Sequence, residues 1–224
     1  MLDGQVILVT GAAGALGDAV VRRLAALGAV PVGLDLGVRE GSPARFLAPV
    51  DLTDAAAVTG AIAELMGRFG RLDGVCTIAG GFTWTTLADG GPSAFEQMFR
   101  INVLTAATVC HAAAPHLRSG GSIVTVGAAA AERAAAGMGA YTAAKSGVAR
   151  LTEALAAELK DRDIRVNAIL PTILDTPANR ADMPGADPSV WVAPDALADV
   201  IGFLLSDAAR AVTGALLPVR GRVL

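Results

Sequence analysis

The chain has 224 residues, of which 53% are hydrophobic and only 4% aromatic, and its formal net charge is −3. This length is enough for one domain with a full core of Ala, Val, Leu and Ile, a composition that suits buried strands under close-packed helices. The absence of a basic block argues against nucleic-acid binding, and no apolar run reaches the roughly 18 residues of a membrane span. The first residues lack the basic-then-apolar pattern of a signal peptide, so we expect a cytoplasmic protein.

The cysteines and histidines do not form a metal-binding or disulfide pattern. Cys76 and Cys110 lie in apolar surroundings without a CxxC pair, which predicts reduced thiols in the core. His111 and His116 are five residues apart, a poor helical spacing for shared metal ligation. We therefore expect no metal.

The first 35 residues have the order of a dinucleotide-binding unit. Residues 6–9 form a short apolar strand, TGAAGALG follows over residues 10–17, and an amphipathic helix ends at Gly28. A second strand at residues 30–34 ends at Asp35. Glycines allow a tight turn, and the helix N-terminus then offers free N–H groups to a pyrophosphate. The alternative is a glycine-rich turn without a ligand. The loop residues expected to hold the cofactor are Gly11, Ala13, Gly14, Ala15, Leu16 and Gly17.

Asp35 indicates which cofactor is preferred. It lies 24 residues after Gly11, the spacing expected of an acid that accepts hydrogen bonds from the adenosine ribose hydroxyls. A carboxylate there repels a 2′-phosphate, which favours NAD(H) over NADP(H). The alternative is an ordinary Asp at a turn after a strand. Arg39 is near enough in sequence to weaken the preference.

Strands and helices continue to alternate along the rest of the chain. We predict further strands at residues 47–50, 74–78, 122–126, 164–170 and 215–219. We predict further helices up to about residue 69, at about residues 93–117 and 194–206, and a helix that carries Tyr141 and Lys145 and runs to about residue 160. Thr53 or Asp54 can cap the first of them. Residues 174–191 form a long loop with three prolines, a candidate substrate lid. Without a repeat or linker, this order predicts one domain over residues 1–224, an α/β fold with a doubly wound parallel sheet of about seven strands.

The sequence GMGAYTAAK, residues 137–145, contains a candidate proton-transfer pair. Tyr141 and Lys145 are one helical turn apart, so their side chains leave the same face. A phenol has a pKa of about 10, and an ammonium group nearby would lower that pKa. The pair is therefore a plausible acid/base, or else an ordinary pair on a half-exposed helix. Asn102 lies in the middle of an apolar helix, where a polar amide needs an explanation.

Taken in order, these elements resemble the short-chain dehydrogenase/reductase family over the whole chain. The matching elements are TGAAGALG, Asp35, DLTD at residues 51–54, AG at residues 79–80, Asn102, YTAAK at residues 141–145 and Pro171. The family's glycine fingerprint is TGxxxGxG, and Ala15 stands at its middle glycine. Within the family the chain is most similar to the dihydropteridine reductases, through GALG (14–17), IAGGF (78–82), GMGAYTAAK and ILPTILDTPANRADMP (169–184).

The resemblance implies a Rossmann-type fold, a nicotinamide cofactor and roles for individual residues. Tyr141 would donate or relay a proton, and Lys145 would lower its pKa and hold the nicotinamide ribose. Asn102 would fix a main-chain kink and order a water, or be a helix-distorting amide without a catalytic part. Further cofactor contacts are expected at Asp51, Leu52, Ala79, Gly80, Gly81, Pro171 and Ile173. Candidate substrate contacts are Ala128, Trp84, Met138, Thr176 and Trp191.

The chain departs from the family at its catalytic serine. That serine usually lies 13 residues before the tyrosine, where this chain has Ala128. The dihydropteridine reductases resemble this chain in lacking the serine, since a quinonoid dihydropterin is reduced without gripping an isolated carbonyl. The leading hypothesis is NADH-dependent reduction of such a conjugated substrate. The alternatives are a carbonyl or alcohol oxidoreductase of secondary metabolism and a non-catalytic NAD-binding protein.

The predicted helices around Asn102 and Tyr141 are rich in alanine, which lets helices of two subunits approach closely. With the resemblance, this predicts a homodimer built on a four-helix interface, with a homotetramer as the larger alternative.

Overall fold

A computed structural model describes residues 2–47 and 49–223, which form a seven-stranded sheet with helices on both faces. The strands are β1 (Val6–Thr10), β2 (Val30–Leu34), β3 (Arg45–Phe46), β4 (Leu72–Thr77), β5 (Leu117–Val126), β6 (Arg165–Pro171) and β7 (Leu216–Val219). Every neighbouring pair is parallel, in the order β3-β2-β1-β4-β5-β6-β7. The predicted doubly wound parallel sheet is therefore confirmed. The strand order reverses between β1 and β4, and ligands of such sheets bind at the carboxyl ends of the strands near that point.

The helices divide between the two faces of the sheet. They are α1 (Ala15–Ala26), α2 (Ala55–Phe69), α3 (Leu87–Phe99), α4 (Thr105–Ala113), α5 (Gly139–Leu159), α6 (Pro177–Asp182) and α7 (Pro194–Leu205). One aliphatic cluster joins the sheet to α2, α4 and α5, and a second joins it to α1 and α7. Cys110 lies in the first cluster and Cys76 in the second, both as buried free thiols whose pKa values are raised by burial. The prediction of core thiols is confirmed.

The third strand lies two residues earlier than the predicted 47–50. Arg45 and Phe46 pair with Val32 and Gly33 of β2. The Phe46 ring occupies the space above Gly33, where an added Cβ would lie 2.8 Å from the ring. This contact accompanies the pairing of Phe46 with Gly33, and an apolar run in the sequence does not reveal it.

The predicted helix over residues 93–117 begins close to the helical segment that follows Gly91, but it is not one continuous α-helix and it ends earlier than predicted. A kink at Gly91 (φ 52°) interrupts α3, and a π-helical turn over Arg100–Leu104 separates α3 from α4. A short 3₁₀ turn containing Pro115 follows α4, and Leu117 already belongs to β5. The stretch at 174–191, predicted as a loop, contains α6 and a 3₁₀ turn at Pro188–Val190. Across residues 2–47 and 49–223, every helix is too short or too polar to span a membrane.

Candidate active site

The glycine-rich loop joins β1 to α1 at the carboxyl edge of the sheet. Gly11 has φ +66°, and a Cβ there would lie 2.9 Å from the Ala79 backbone nitrogen. A Cβ on Gly17 would lie 2.0 Å from the Gly11 carbonyl oxygen, so both positions require glycine. Ala15 is the first helical residue of α1, which explains why alanine is tolerated at the middle position of the fingerprint.

The same loop has the features that a pyrophosphate needs. Gly14 is the N-cap of α1, and within the described chain no side chain caps its first N–H groups. Helix N-termini with free N–H groups bind phosphates through hydrogen bonds and the helix dipole. The loop therefore fits a dinucleotide, with Gly14, Ala15, Leu16 and Gly17 at the helix start.

Asp35 follows β2 and contacts this loop directly. Its Oδ2 accepts a hydrogen bond of 2.9 Å from the Ala13 backbone N–H, and its Oδ1 accepts one of 2.7 Å from the Leu36 N–H. Asp35 therefore lies at the end of β2 against the phosphate loop, where an adenosine ribose is held in dinucleotide-binding folds.

Tyr141 and Lys145 lie one turn apart in the first part of α5. The Lys145 Nζ donates a hydrogen bond of 2.9 Å to the Val126 carbonyl and lies 5.9 Å from the centroid of the Tyr141 ring. Burial lowers the pKa of Lys145 to about 8 and raises the pKa of Tyr141 to about 12. The predicted lowering of the Tyr141 pKa by Lys145 is not seen in this arrangement, where burial of the phenol raises that pKa.

Phe82 is a site residue that sequence reasoning missed. Its ring meets the Tyr141 ring edge to face, with the centroids 4.9 Å apart and the planes at 88°. The next residues bind the segment before α5. The Thr85 N–H donates to the Gly137 carbonyl at 2.9 Å, and the Trp84 indole lies against the α-carbon of Gly137. No spacing in the sequence connects Phe82 with Tyr141, so only the folded structure reveals the contact.

The Asn102 side chain joins the π-helical turn to the loop after β4. Its Oδ1 accepts from the Gly81 N–H at 3.2 Å, and its Nδ2 donates to the carbonyls of Gly81 and Met98, each at 3.0 Å. A π-turn releases carbonyls from their α-helical partners, and the amide replaces one of those bonds. A Cβ on Gly80 would lie 2.5 Å from Asn102 Oδ1 and 3.5 Å from Lys145 Nζ. The fold thus brings Ala79, Gly80, Gly81, Asn102 and Lys145 together.

Ala128 follows β5 and is buried, with extended backbone. The nearest hydroxyls along the strand bond elsewhere. Thr125 Oγ1 lies 2.6 Å from Thr152 Oγ1, and Ser122 Oγ donates to the Leu204 carbonyl at 3.0 Å. Neither can therefore replace the hydroxyl that Ala128 lacks.

The remaining predicted cofactor contacts differ in their exposure and bonding. Asp51 is exposed, with its pKa lowered by hydrogen bonds from Thr53, and Leu52 is buried beside it. Pro171 ends β6, and the Ile173 carbonyl accepts from the Val192 N–H at 2.9 Å.

Some of the residues predicted to contact the substrate have structural roles instead. The Thr176 hydroxyl caps α6, Trp191 is buried, and Met138 precedes α5. Trp84, by contrast, is 60% exposed, so its aromatic ring is accessible to a ligand. In the part of the chain that the structure describes, no cluster of three His, Cys, Asp or Glu residues is placed to hold a metal.

Comparison with known proteins agrees with this geometry. Residues 11–221 match a family model described as enoyl-(acyl carrier protein) reductase. An uncharacterised NAD-dependent oxidoreductase of Mycobacterium tuberculosis is 32% identical, covering 97% of this chain and 95% of the relative. D-threitol dehydrogenase of Mycolicibacterium smegmatis is also 32% identical, over 98% of this chain and 93% of its own length.

A solved structure agrees equally well with the fold. The short-chain dehydrogenase/reductase of Serratia marcescens superposes with a TM-score of 0.89 at 27% identity, covering 98% of each chain. The glycine loop, the Tyr141–Lys145 pair and the parallel sheet lie within the region these proteins share. The chain therefore belongs to the short-chain dehydrogenase/reductase family, whose members are NAD(P)-dependent oxidoreductases.

Proposed function

We propose that the protein reduces a small, planar, conjugated substrate with NADH, and that a quinonoid dihydropterin is the best candidate. The observation that carries this proposal is Ala128, a buried methyl group where the family has a serine. A hydroxyl there would stabilise the oxygen of an isolated carbonyl as charge develops. A conjugated ring spreads that charge and needs no such donor. The resemblance of residues 169–184 to the dihydropteridine reductases supports the same substrate class.

The residues of the site have separable roles in this proposal. The bound nicotinamide supplies a hydride to the substrate. Tyr141, with a pKa of about 12, is protonated at neutral pH and donates the accompanying proton. Lys145 would hold the cofactor ribose through its ammonium group, and Phe82 packs edge to face with the Tyr141 ring. The side-chain N–H groups of Asn102 are used by Gly81 and Met98, so its amide positions the loop after β4.

The preference for NADH rests on Asp35. Its carboxylate accepts a hydrogen bond from the Ala13 N–H of the glycine-rich loop. A 2′-phosphate bound there would meet a like charge. The Mycobacterium tuberculosis relative is described as NAD-dependent, which supports the same preference. NADH should bind at least about tenfold more tightly than NADPH, a difference of about 1.4 kcal/mol.

An alcohol or sugar dehydrogenase is the second candidate. The likeness to D-threitol dehydrogenase over 98% of this chain favours it. In that case the oxygen of the substrate would bond to Tyr141 alone, because Ala128 offers no second donor.

The deciding experiment measures NADH oxidation by purified protein with quinonoid dihydropterin, a quinone and a simple ketone, and NAD⁺ reduction with polyols. Fluorescence titration with NADH and NADPH accompanies the assays. Turnover highest on the dihydropterin supports the proposal, and turnover only on ketones or polyols supports the second candidate. Tight NADH binding without turnover on any substrate would identify a non-catalytic NAD-binding protein.

A further inference from the structure

Asp18 and Arg39 form an ion pair at the glycine-rich loop. Arg39 Nε lies 3.1 Å from Asp18 Oδ1, and Arg39 Nη1 donates to the Ala13 carbonyl at 3.3 Å. Asp18 lies in the first turn of α1, and its side chain is only 13% exposed. Its other oxygen, Oδ2, lies 3.1 Å from Arg22 Nε on the next turn. The Arg39 guanidinium is thus fixed against the loop from two sides.

Ala13 connects this ion pair with Asp35. Its N–H donates to Asp35 Oδ2 at 2.9 Å, while its carbonyl accepts from Arg39. The guanidinium and the carboxylate therefore bond to the two polar groups of one residue. Because Asp35 marks the place of the adenosine ribose, Arg39 lies beside the part of the site that distinguishes NAD from NADP.

This position has two guanidinium groups and three carboxylates. Arg22 and Arg39 both pair with Asp18. Arg22 also pairs with Asp195 of α7 at 3.1 Å, and Asp35 is the third carboxylate. A guanidinium binds a phosphate best through two parallel N–H bonds. The Nε of Arg39 lies in the ion pair with Asp18, and its Nη1 donates to the Ala13 carbonyl, so two of the three guanidinium nitrogens already have partners at the loop and on α1.

We propose that Asp18 is a specificity-determining residue. It holds Arg39 on the glycine-rich loop and neutralises its charge, so that the guanidinium is not offered to a 2′-phosphate. Asp35 repels that phosphate, and Asp18 withholds the cation that would offset the repulsion. This inference rests on the proposed binding of a nicotinamide dinucleotide and adds a second determinant to Asp35.

The test uses two nucleotides that lack the nicotinamide, 2′,5′-ADP and 5′-AMP, with dissociation constants measured by calorimetry. In Asp18→Asn, the ratio of 2′,5′-ADP affinity to 5′-AMP affinity should rise about fivefold. The ratio is the measured quantity because removing a negative charge near a helix N-terminus strengthens binding of both phosphates. Asp18→Ala is the second variant, since an Asn amide can itself accept a hydrogen bond from Arg39.

Arg39→Gln completes a double-mutant cycle. In that background, Asp18→Asn should leave the affinity ratio unchanged, because the cation that Asp18 holds is gone. Asp199→Asn is the matched control. It removes a 2.7 Å ion pair between Asp199 of α7 and Arg23, which lies in the last turn of α1, at the end opposite the glycine loop. The affinity ratio should stay at the wild-type value.

Two results would overturn the role of Asp18. One is an unchanged ratio in both Asp18 variants, and the other is the same rise with Arg39→Gln present, which would assign the effect to the general charge of the site. Turnover plays no part in these measurements, so a protein inactive on every substrate would still decide the question. Failure of the wild type to bind NADH and both probes would overturn the proposed function and this inference together.

Discussion

Tyr141 and Lys145 are both buried, and desolvation favours the neutral form of each side chain. With its pKa raised to about 12, the phenol is protonated at neutral pH and acts as an acid. Tyr141→Phe should lower kcat by at least about 100-fold, the contribution typical of a positioned general acid. Its NADH dissociation constant should stay within about twofold of wild type, because the phenol acts on the substrate. Full activity in this variant would rule out Tyr141 as the proton donor.

The buried Lys145 ammonium should lower the stability of the fold at neutral pH. Its pKa falls from 10.5 to about 8, which corresponds to about 3 kcal/mol of preference for the neutral amine. Below about pH 8 the amine is charged in both the folded and the unfolded chain, and the folded chain bears the full desolvation. Between about pH 8 and 10.5 the unfolded chain binds more protons, so stability rises with pH through this window.

Lys145→Met should therefore unfold at a higher urea concentration than wild type at pH 7. We expect a gain of about 2 kcal/mol, since the lost bond to the Val126 carbonyl subtracts about 1 kcal/mol from the desolvation relieved. The gain should shrink towards pH 10, and NADH should bind more weakly. Lys160→Met, at an exposed lysine, is the control and should show no such pH dependence. A variant less stable than wild type at pH 7 would contradict the expectation.

A substitution at Ala128 can distinguish the two candidate substrate classes. Ala128→Ser restores the family hydroxyl and should raise kcat/KM for a simple ketone by up to about tenfold, because a retrofitted donor gives only part of the roughly 3 kcal/mol of a well-placed one. Reduction of a quinonoid dihydropterin should change by less than about twofold, since that substrate needs no donor there. Steady-state kinetics with the ketone and with the quinonoid dihydropterin test this expectation. A large gain on the dihydropterin would count against the proposed substrate class.

At the scale of elements, the π-helical turn between α3 and α4 depends on one amide. Asn102→Ala would leave the N–H and carbonyl of Gly81 and the Met98 carbonyl without their present partners. We expect a loss of about 2–4 kcal/mol in the free energy of unfolding, measured by urea denaturation. Gln97→Ala, at an exposed position of α3, should change it by less than about 0.5 kcal/mol. Equal effects of the two substitutions would show that the amide does not hold the turn.

At the scale of the whole molecule, α4 and α5 present the surface on which the predicted homodimer would form. A cavity of about 350 Å³ lies between these helices. It is lined by Ala107, Cys110, His111, Ala114, Pro115, Leu151, Leu155, Glu158, Leu159 and Arg162. Phe99 and Leu104, at the start of this surface, are 47% and 44% exposed. Large exposed apolar side chains beside small ones favour association of two copies.

Light scattering at micromolar concentration should therefore give at least a dimer for the wild type. Leu155→Glu should give a monomer, because it places a charge in the contact between α4 and α5 of the two copies. Phe203→Glu, on α7 at the other face of the sheet, should leave the dimer intact. A monomeric wild type would exclude the four-helix interface.

Local patterns in the sequence determined the order of elements, the glycine loop and the Tyr141–Lys145 pair on one helix. They also narrowed the cap of α2 to Thr53 or Asp54, and it is Asp54 that accepts hydrogen bonds from the N–H groups of Ala56 and Ala57. Such features depend on residues within a few turns of one another, and their spacing is visible in the sequence.

The tertiary structure decided the features that depend on distant contacts. In β3 the Phe46 ring packs over Gly33 of β2, and at the π-helical turn the Asn102 amide bonds to the loop after β4. The pKa directions of Tyr141 and Lys145 depend on burial, which spacing does not reveal. The contacts of Phe82 with Tyr141 and of Asp18 with Arg39 join segments that meet only once the sheet has formed. The physical reason is that packing and desolvation depend on neighbours in space, whereas helix, strand and turn preferences depend on neighbours in sequence.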